Sequence, residues 1–157
     1  MGKVKHHNKT ITNRRAKFDY TIGDTYIVGL ELTGAETKAL RLGHGNLTAS
    51  YVTIKDNQLL LINATITGTE AVHIKEEDQT RSRRLLAKRR EINQLIQQKH
   101  QGKTIIPLEI LNKGRFIKLK IATATGKKRY DKRETLKLRS AKRQMEARIK
   151  VNSRIIK

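Results

Sequence analysis

Residues 50–66 read SYVTIKDNQLLLINATI. Tyr51, Thr53 and Lys55 alternate with Val52 and Ile54, the period of a half-buried strand. Asp56-Asn57 follows, a pair suited to a two-residue turn that needs positive φ at both positions. Residues 58–66 then resume an aliphatic run, so 50–66 is expected to fold as a β-hairpin. Further along, residues 103–111 (KTIIPLEIL) read as another strand. Pro107 puts that strand at an edge or a bulge, because proline has no N–H to give to a ladder. Asn112-Lys113-Gly114 reads as a hairpin loop with glycine at a positive-φ position. In residues 115–123 (RFIKLKIAT), Ile117, Leu119 and Ile121 are expected inward, with Phe116, Lys118 and Lys120 outward. Before the hairpin, residues 25–32 (TYIVGLEL) read as a strand, 35–41 as a short helix and 42–48 as a loop. Residues 80–99 read as a helix capped by Thr80, with Leu85, Ile92, Leu95 and Ile96 facing inward and Leu86 beside them.

Short strands, one helix inserted between strand groups and no βαβ rhythm predict a mainly β fold with helices. The leading expectation is a small OB-like β-barrel with an inserted helix. An SH3-like barrel and an open α+β sheet remain alternatives.

Charge divides the chain differently. Its 157 residues hold 35 Lys and Arg against 14 Asp and Glu, a net charge of +21. Residues 1–19 carry +5, residues 20–125 carry +6 and residues 126–157 carry +10. The expected organisation is a basic arm over 1–12, a barrel over 13–130 and a basic tail over 131–157. Leu138, Ala141, Met145 and Ile149 recur in the tail at helical spacing. That narrow stripe offers too little apolar area to hold a helix by itself, so the tail is expected to be disordered or helical according to its partner. A folded body with basic extensions suits a large polyanion, because cations on phosphates release counterions. The chain has no cysteine, and its first residues have no apolar signal-like run, which fits a reducing cytoplasm. No lipidation signal or long apolar run points to a membrane.

Enzyme chemistry is hard to find. Gly43-His44-Gly45 lacks the further glycine of a dinucleotide loop and has no following Gly-Lys-Ser/Thr. His6-His7 reads as a solvated pair rather than a metal site. Glu76-Glu77-Asp78 reads as a solvated loop that favours the helix after it. The expectation is a binding protein with no catalytic residues, metal, cofactor or small-molecule substrate. Binding chemistry is denser. Gly126-Lys127-Lys128-Arg129-Tyr130-Asp131-Lys132-Arg133 joins five cations to an aromatic that could stack on an unpaired base. Arg81, Arg83, Arg84, Lys88, Arg89 and Arg90 form a second basic cluster, and Asn13-Arg14-Arg15-Ala16-Lys17 a third.

Read together, these segments resemble the SsrA-binding protein family. Asn13-Arg14-Arg15-Ala16-Lys17-Phe18-Asp19-Tyr20 resembles the family's opening N-K/R-x-A-x-x-x-Y/F. Gly34-Ala35-Glu36-Thr37-Lys38-Ala39-Leu40-Arg41 resembles its G-x-E-V-K-S-L-R. Asn46-Leu47 and Ser50-Tyr51-Val52 match N-[IL]-x-x-S-Y-V, and Arg81-Ser82-Arg83-Arg84-Leu85-Leu86 resembles R-x-R-K-L-L-L, with Ala87 in place of the third Leu. Gly126-Lys127-Lys128 with Asp131-Lys132-Arg133 matches G-K-K-x-x-D-K-R. The resemblance implies an OB-like barrel that binds the tRNA-like domain of transfer-messenger RNA. It also implies a tail that becomes helical in the empty messenger channel of a stalled ribosome, near the decoding centre. By position, the family's RNA contacts carry over to Asn13, Leu86 and Lys118; the surrounding motifs add Arg14, Lys17, Glu36, Lys38 and Arg83. Lys127, Lys128, Tyr130, Asp131, Lys132 and Arg133 would be the ribosome-contacting residues. Ile27 stands where the family usually has an acid two residues before the glycine of its strand. Glu31 is nearby but is expected to face differently. Thr125 replaces a usual Lys. A structural ribosomal protein, or another barrel-type translation factor, is the alternative.

Overall fold

The computed structural model describes residues 10–112 and 114–155. Most of the expected N-terminal arm, and Lys113 of the expected hairpin loop, lie outside the described residues.

The hairpin forms as β4 (Tyr51–Lys55) and β5 (Gln58–Ile62), with Ile54 opposite Leu59 and Lys55 opposite Gln58. The expected partner strand over 58–66 stops at Ile62, because Asn63 turns the chain at φ 57° and Thr65–Ile66 pair with Gly45–Asn46 instead. Asp56 and Asn57 have φ of 51° and 57°, the left-handed pair of a type I′ turn. The C-terminal hairpin forms as β8 (Thr104–Leu111) and β9 (Lys118–Gly126). Its register shifts between Pro107 and Glu109, so the proline marks a bulge. Gly114 has φ of 113°. In β9, Leu119 and Ile121 are fully buried, and Ile117 just before the strand is also buried. Lys118 is exposed and Lys120 half-buried.

The long β2 (Tyr20–Leu30) pairs with β9 along most of its length, from Tyr20 opposite Gly126 to Gly29 opposite Lys118. A bulge lies between Ile22 and Thr25, where the Thr123 hydroxyl accepts from the Asp24 N–H at 3.1 Å. Against the expected 25–32 and 115–123, β2 starts earlier, at Tyr20, and stops at Leu30, while β9 is shifted by three residues toward the C-terminus.

One expectation is corrected. Residues 80–99 are not one helix: β7 (Arg83–Leu86) is a strand between β5 and β2, and α4 (Arg89–His100) starts only after it. Arg83 and Leu85 are buried while Arg84 and Leu86 are exposed, a period of two that the arginine at a buried position hides from a hydrophobicity reading. Thr80 therefore does not cap α4. It ends the short α3 (Glu76–Gln79), and α4 is steadied by Glu91, which accepts from the Lys88 N–H at 2.9 Å. The inward stripe of α4 is as expected, with Ile92 and Leu95 buried.

The strands run β1-β8-β4-β5-β7-β2-β9, all pairings are antiparallel, and β8 also pairs with β9. That last pairing closes the sheet into a small barrel, the OB-like body with helices that the pattern predicts. β1 (Ile11–Thr12) lies on β8, while β3 (Gly45–Asn46) and β6 (Thr65–Ile66) form a separate ribbon. Val28, Leu40, Leu59, Leu61, Leu95, Leu119 and Ile121 fill the centre. α1 (Ala16–Asp19) precedes β2, and α2 (Gly34–Arg41) follows it. The tail forms α5 (Arg129–Ile155), one helix leaving the barrel at the end of β9.

Candidate nucleic-acid interface

The sequence-predicted residues separate into two exposed groups, at opposite ends of the β2–β9 ladder, and one buried group. The eight residue steps from Lys118 to Gly126 correspond to about 26 Å of strand.

At the first end, Gly29 of β2 lies directly opposite Leu86 on one side and Lys118 on the other. Alternation turns Leu85 and Leu119 into the core and leaves Leu86 and Lys118 outside. A Cβ on Gly29 would sit 3.1 Å from the Leu86 Cβ, so any larger residue there would press the leucine away by a few tenths of an ångström. Ile27, Leu86 and Phe116 expose 55%, 52% and 69% of their surface, three large apolar groups facing water within one small region. Arg84, Lys88 and Lys118 border the shallow hollow that Ile27, Gly29 and Leu86 line, and the Arg115 guanidinium sits 5.4 Å from the Phe116 ring centre. The result is an apolar saddle with a cationic rim. Apolar faces suit bases and riboses, and the rim suits phosphates.

The sequence reading included Leu86 and Lys118 but not Gly29, Ile27 or Phe116 as partners in one patch. Phe116 carries a signal in the alternation of residues 115–123, which sets it outward beside lysines. Glu31 corrects another expectation. It lies four residues beyond Ile27, so period two puts both on one face. It is exposed, and its N–H donates to the Arg84 carbonyl at 3.0 Å, which carries the pairing past Leu30.

The second group is not on the surface. Glu36 and Arg83, expected to touch RNA, have side chains only 2% and 0% exposed. Their proposed contact role is replaced by a structural one. The Arg83 Nε donates to Glu36 at 2.9 Å, and its terminal nitrogens donate to the carbonyls of Ala64, Arg81, Asp78 and Gln79. Those bonds occupy every donor a guanidinium has. Glu36 also accepts from Arg81 at 2.6 and 2.9 Å and from the Thr33 N–H at 2.8 Å. In return the Thr33 hydroxyl accepts from the Glu36 N–H, completing a capping box on α2. Burial pushes the Glu36 carboxyl up, but the Arg81 and Thr33 hydrogen bonds and the Arg83 charge outweigh it and hold it below its ordinary value. Burial pulls Arg83 down against the attraction of Glu36, and the guanidinium stays charged. The bridge ties α2 to β7 and thereby sets the strand that presents Arg84 and Leu86. Lys38 points outward on α2 and is exposed.

At the far end, Asn13 donates from its backbone to the Leu108 carbonyl at 2.7 Å and from Nδ2 to the Pro107 carbonyl at 3.1 Å. Its buried Oδ1 has no hydrogen-bond partner among the described residues. Asn13, Arg15, Asp19, Ser50, Tyr51 and Thr104 line a hollow there, with Arg14 and Lys17 exposed nearby in sequence. α5 begins at this same end. The Lys127 N–H donates to the Asp19 carbonyl at 2.9 Å, and the Lys127 Nζ donates to the Lys17 carbonyl at 3.0 Å. Asp131 accepts from the Lys128 N–H at 3.2 Å, so it steadies the helix start from inside the first turn. Tyr130 is 74% exposed, and Lys128 and Arg133 are exposed. Lys132 instead pairs with Asp19 at 2.9 Å.

Among the described residues no helix is long and apolar enough to cross a membrane. A family model described as SmpB protein matches residues 10–151. An SsrA-binding protein of Oenococcus oeni is 42% identical over 94% of this chain and 96% of its own length. One from Shouchella clausii is 41% identical over 98% of this chain and 99% of its own, and one from Clostridium botulinum is 40% identical over the same shares. A solved structure described as "tmRNA-SmpB: a journey to the center of the bacterial ribosome" is similar to this chain. Its TM-score is 0.64, with 34% identity over 82% of this chain and 94% of that one.

Proposed function

This chain belongs to the SmpB protein family, and from that premise we infer that it binds the tRNA-like domain of transfer-messenger RNA and acts with it on stalled ribosomes in trans-translation. The partners are that RNA and the ribosome, and the place of action is where ribosomes work, the cytoplasm. Within the family role, bond making belongs to the ribosome. This protein contributes recognition and placement and has no catalytic step of its own.

One observation carries the division of labour: the apolar, cation-rimmed saddle at Leu86, Gly29 and Lys118 lies at the opposite end of the β2–β9 ladder from the start of α5. The saddle is the RNA-recognising face. Leu86, Ile27 and Phe116 take apolar faces of nucleotides, while Lys118, Arg84 and Lys88 take phosphates. Asn13, Arg14 and Lys17 form a second RNA contact beside the tail root. α5 is the ribosome-facing element. Lys127, Lys128, Tyr130, Asp131, Lys132 and Arg133 occupy its root, and its basic length enters the empty messenger channel near the decoding centre.

The test is competition at about 150 mM salt, because lower salt inflates the affinity of any basic chain for any RNA. A labelled tRNA-like domain of transfer-messenger RNA competes against excess transfer RNA and a ribosomal RNA fragment. Strong preference for the labelled domain is expected. Ready displacement by both competitors would contradict specific recognition and favour a general ribosomal RNA binder.

A further inference from the structure

We propose that Asp19 is a positioning residue that sets the direction in which the tail helix leaves the barrel. This deepens the reading of α5 as the ribosome-facing element and rests on it.

The observations meet at the last residue of α1. The Asp19 carboxylate accepts from the Lys132 Nζ at 2.9 Å, with the two side chains 28% and 34% exposed. Its carbonyl accepts from the Lys127 N–H at 2.9 Å. Two residues earlier, the Lys17 carbonyl accepts from the Lys127 Nζ at 3.0 Å. These bonds hold the link before α5 and its first turn against α1. Beyond them, the side chains from Arg133 to Lys150 are exposed except for half-buried Thr135. Among the described residues, the bonds named here join the barrel to the root of the helix, and a small rotation there swings a long lever. α5 has 27 residues, so its far end lies about 40 Å from its start.

The chemistry favours an acid at position 19. It is the one acidic residue between Met1 and Tyr20, and it faces cations from both sides. Arg15, one turn back, approaches the same carboxylate at 3.9 Å. Removing the charge leaves Arg15, Lys127 and Lys132 repelling one another at the root. The backbone bond from Lys127 survives substitution, so the side chain's part can be isolated. The link also ties the tail to the segment bearing Asn13, Arg14 and Lys17, so RNA held by that segment and the ribosome-facing helix share one small element.

The chain has no cysteine, which lets two introduced cysteines, Lys55→Cys at the end of barrel strand β4 and Ala147→Cys on α5, be spin-labelled uniquely. Electron–electron distance measurement on the free full-length protein is expected to give one narrow distribution. Asp19→Lys should broaden or displace it, and Asp19→Lys combined with Lys132→Asp should narrow it again. Asp19→Asn is expected to lower tagging in a reconstituted system saturated with transfer-messenger RNA by about two- to five-fold, the effect of one partly exposed ion pair. An unchanged distribution in Asp19→Lys, or a broad one in the parent protein, would overturn the proposal. The distance measurement needs neither RNA nor ribosome. Failure of the parent protein to bind the RNA or support tagging would count against the functional reading instead.

Discussion

The two ends of the β2–β9 ladder are built by different means. At the Lys118 end, the exposed saddle rests on strand β7, and β7 is held from within by a buried, fully hydrogen-bonded bridge between Glu36 and Arg83. At the Gly126 end, α5 is held from outside, by partly exposed bonds from Lys127 and Lys132 to α1. A buried charge pair is costly to break, whereas an exposed one contributes little. The rigid end suits recognition of an RNA surface that keeps its shape. The lightly held end suits the proposed role of α5, a helix delivered into a channel on another particle. Different tolerance to mutation at the two ends follows.

The largest effect is expected from Arg83→Met. It leaves the Glu36 carboxylate buried with Arg81 as its only remaining charged partner among the described residues, and should lower stability by about 3–5 kcal/mol. Urea denaturation measures this, and a loss below about 1 kcal/mol would break the contrast between the ends. Leu86→Ala comes next. Its side chain is half exposed, so stability should hardly change, while affinity for transfer-messenger RNA should fall about 10- to 100-fold if one base-sized contact of 1–3 kcal/mol is lost. Titration of the labelled RNA reads it. Lys118→Ala should act more gently, lowering the slope of log affinity against log salt by about one.

Acid should act on the rigid end. The Glu36 pKa is depressed in the folded state, so its contribution is present above the unfolded value of 4.5 and disappears as pH falls through the folded one. Glu36→Gln is expected to flatten this part of the acid-unfolding profile. An unchanged profile would mean that other carboxyls dominate it.

How far these ends could be read from sequence depends on how local their causes are. The hairpin of β4 and β5 was legible because Asp56-Asn57 sits between its strands and carries its own turn chemistry, but its end at Ile62, short of the expected 66, was not. The inward face of residues 115–123 was legible for a similar reason, since alternation is written along the strand itself. β7 was not. Its buried position is occupied by an arginine whose partner, Glu36, lies 47 residues away, and without that partner RSRRLLAKRR reads as a basic helix. The saddle was half legible. Leu86 and Lys118 followed from the family resemblance, but only pairing across Gly29 brings them together with Ile27. The root of the tail was legible as charge and not as geometry, because Asp19 and Lys132 meet through the long β2–β9 ladder, which no local pattern announces.

The central claim is that RNA recognition belongs to the barrel and ribosomal engagement to α5. It is tested most directly by the affinity, at about 150 mM salt, of a chain ending at Lys128 for the tRNA-like domain of transfer-messenger RNA. The account predicts that this shortened protein keeps its preference for that RNA over transfer RNA and fails to support tagging. Loss of the preference along with the helix would contradict it, and would move RNA recognition from the saddle to the tail.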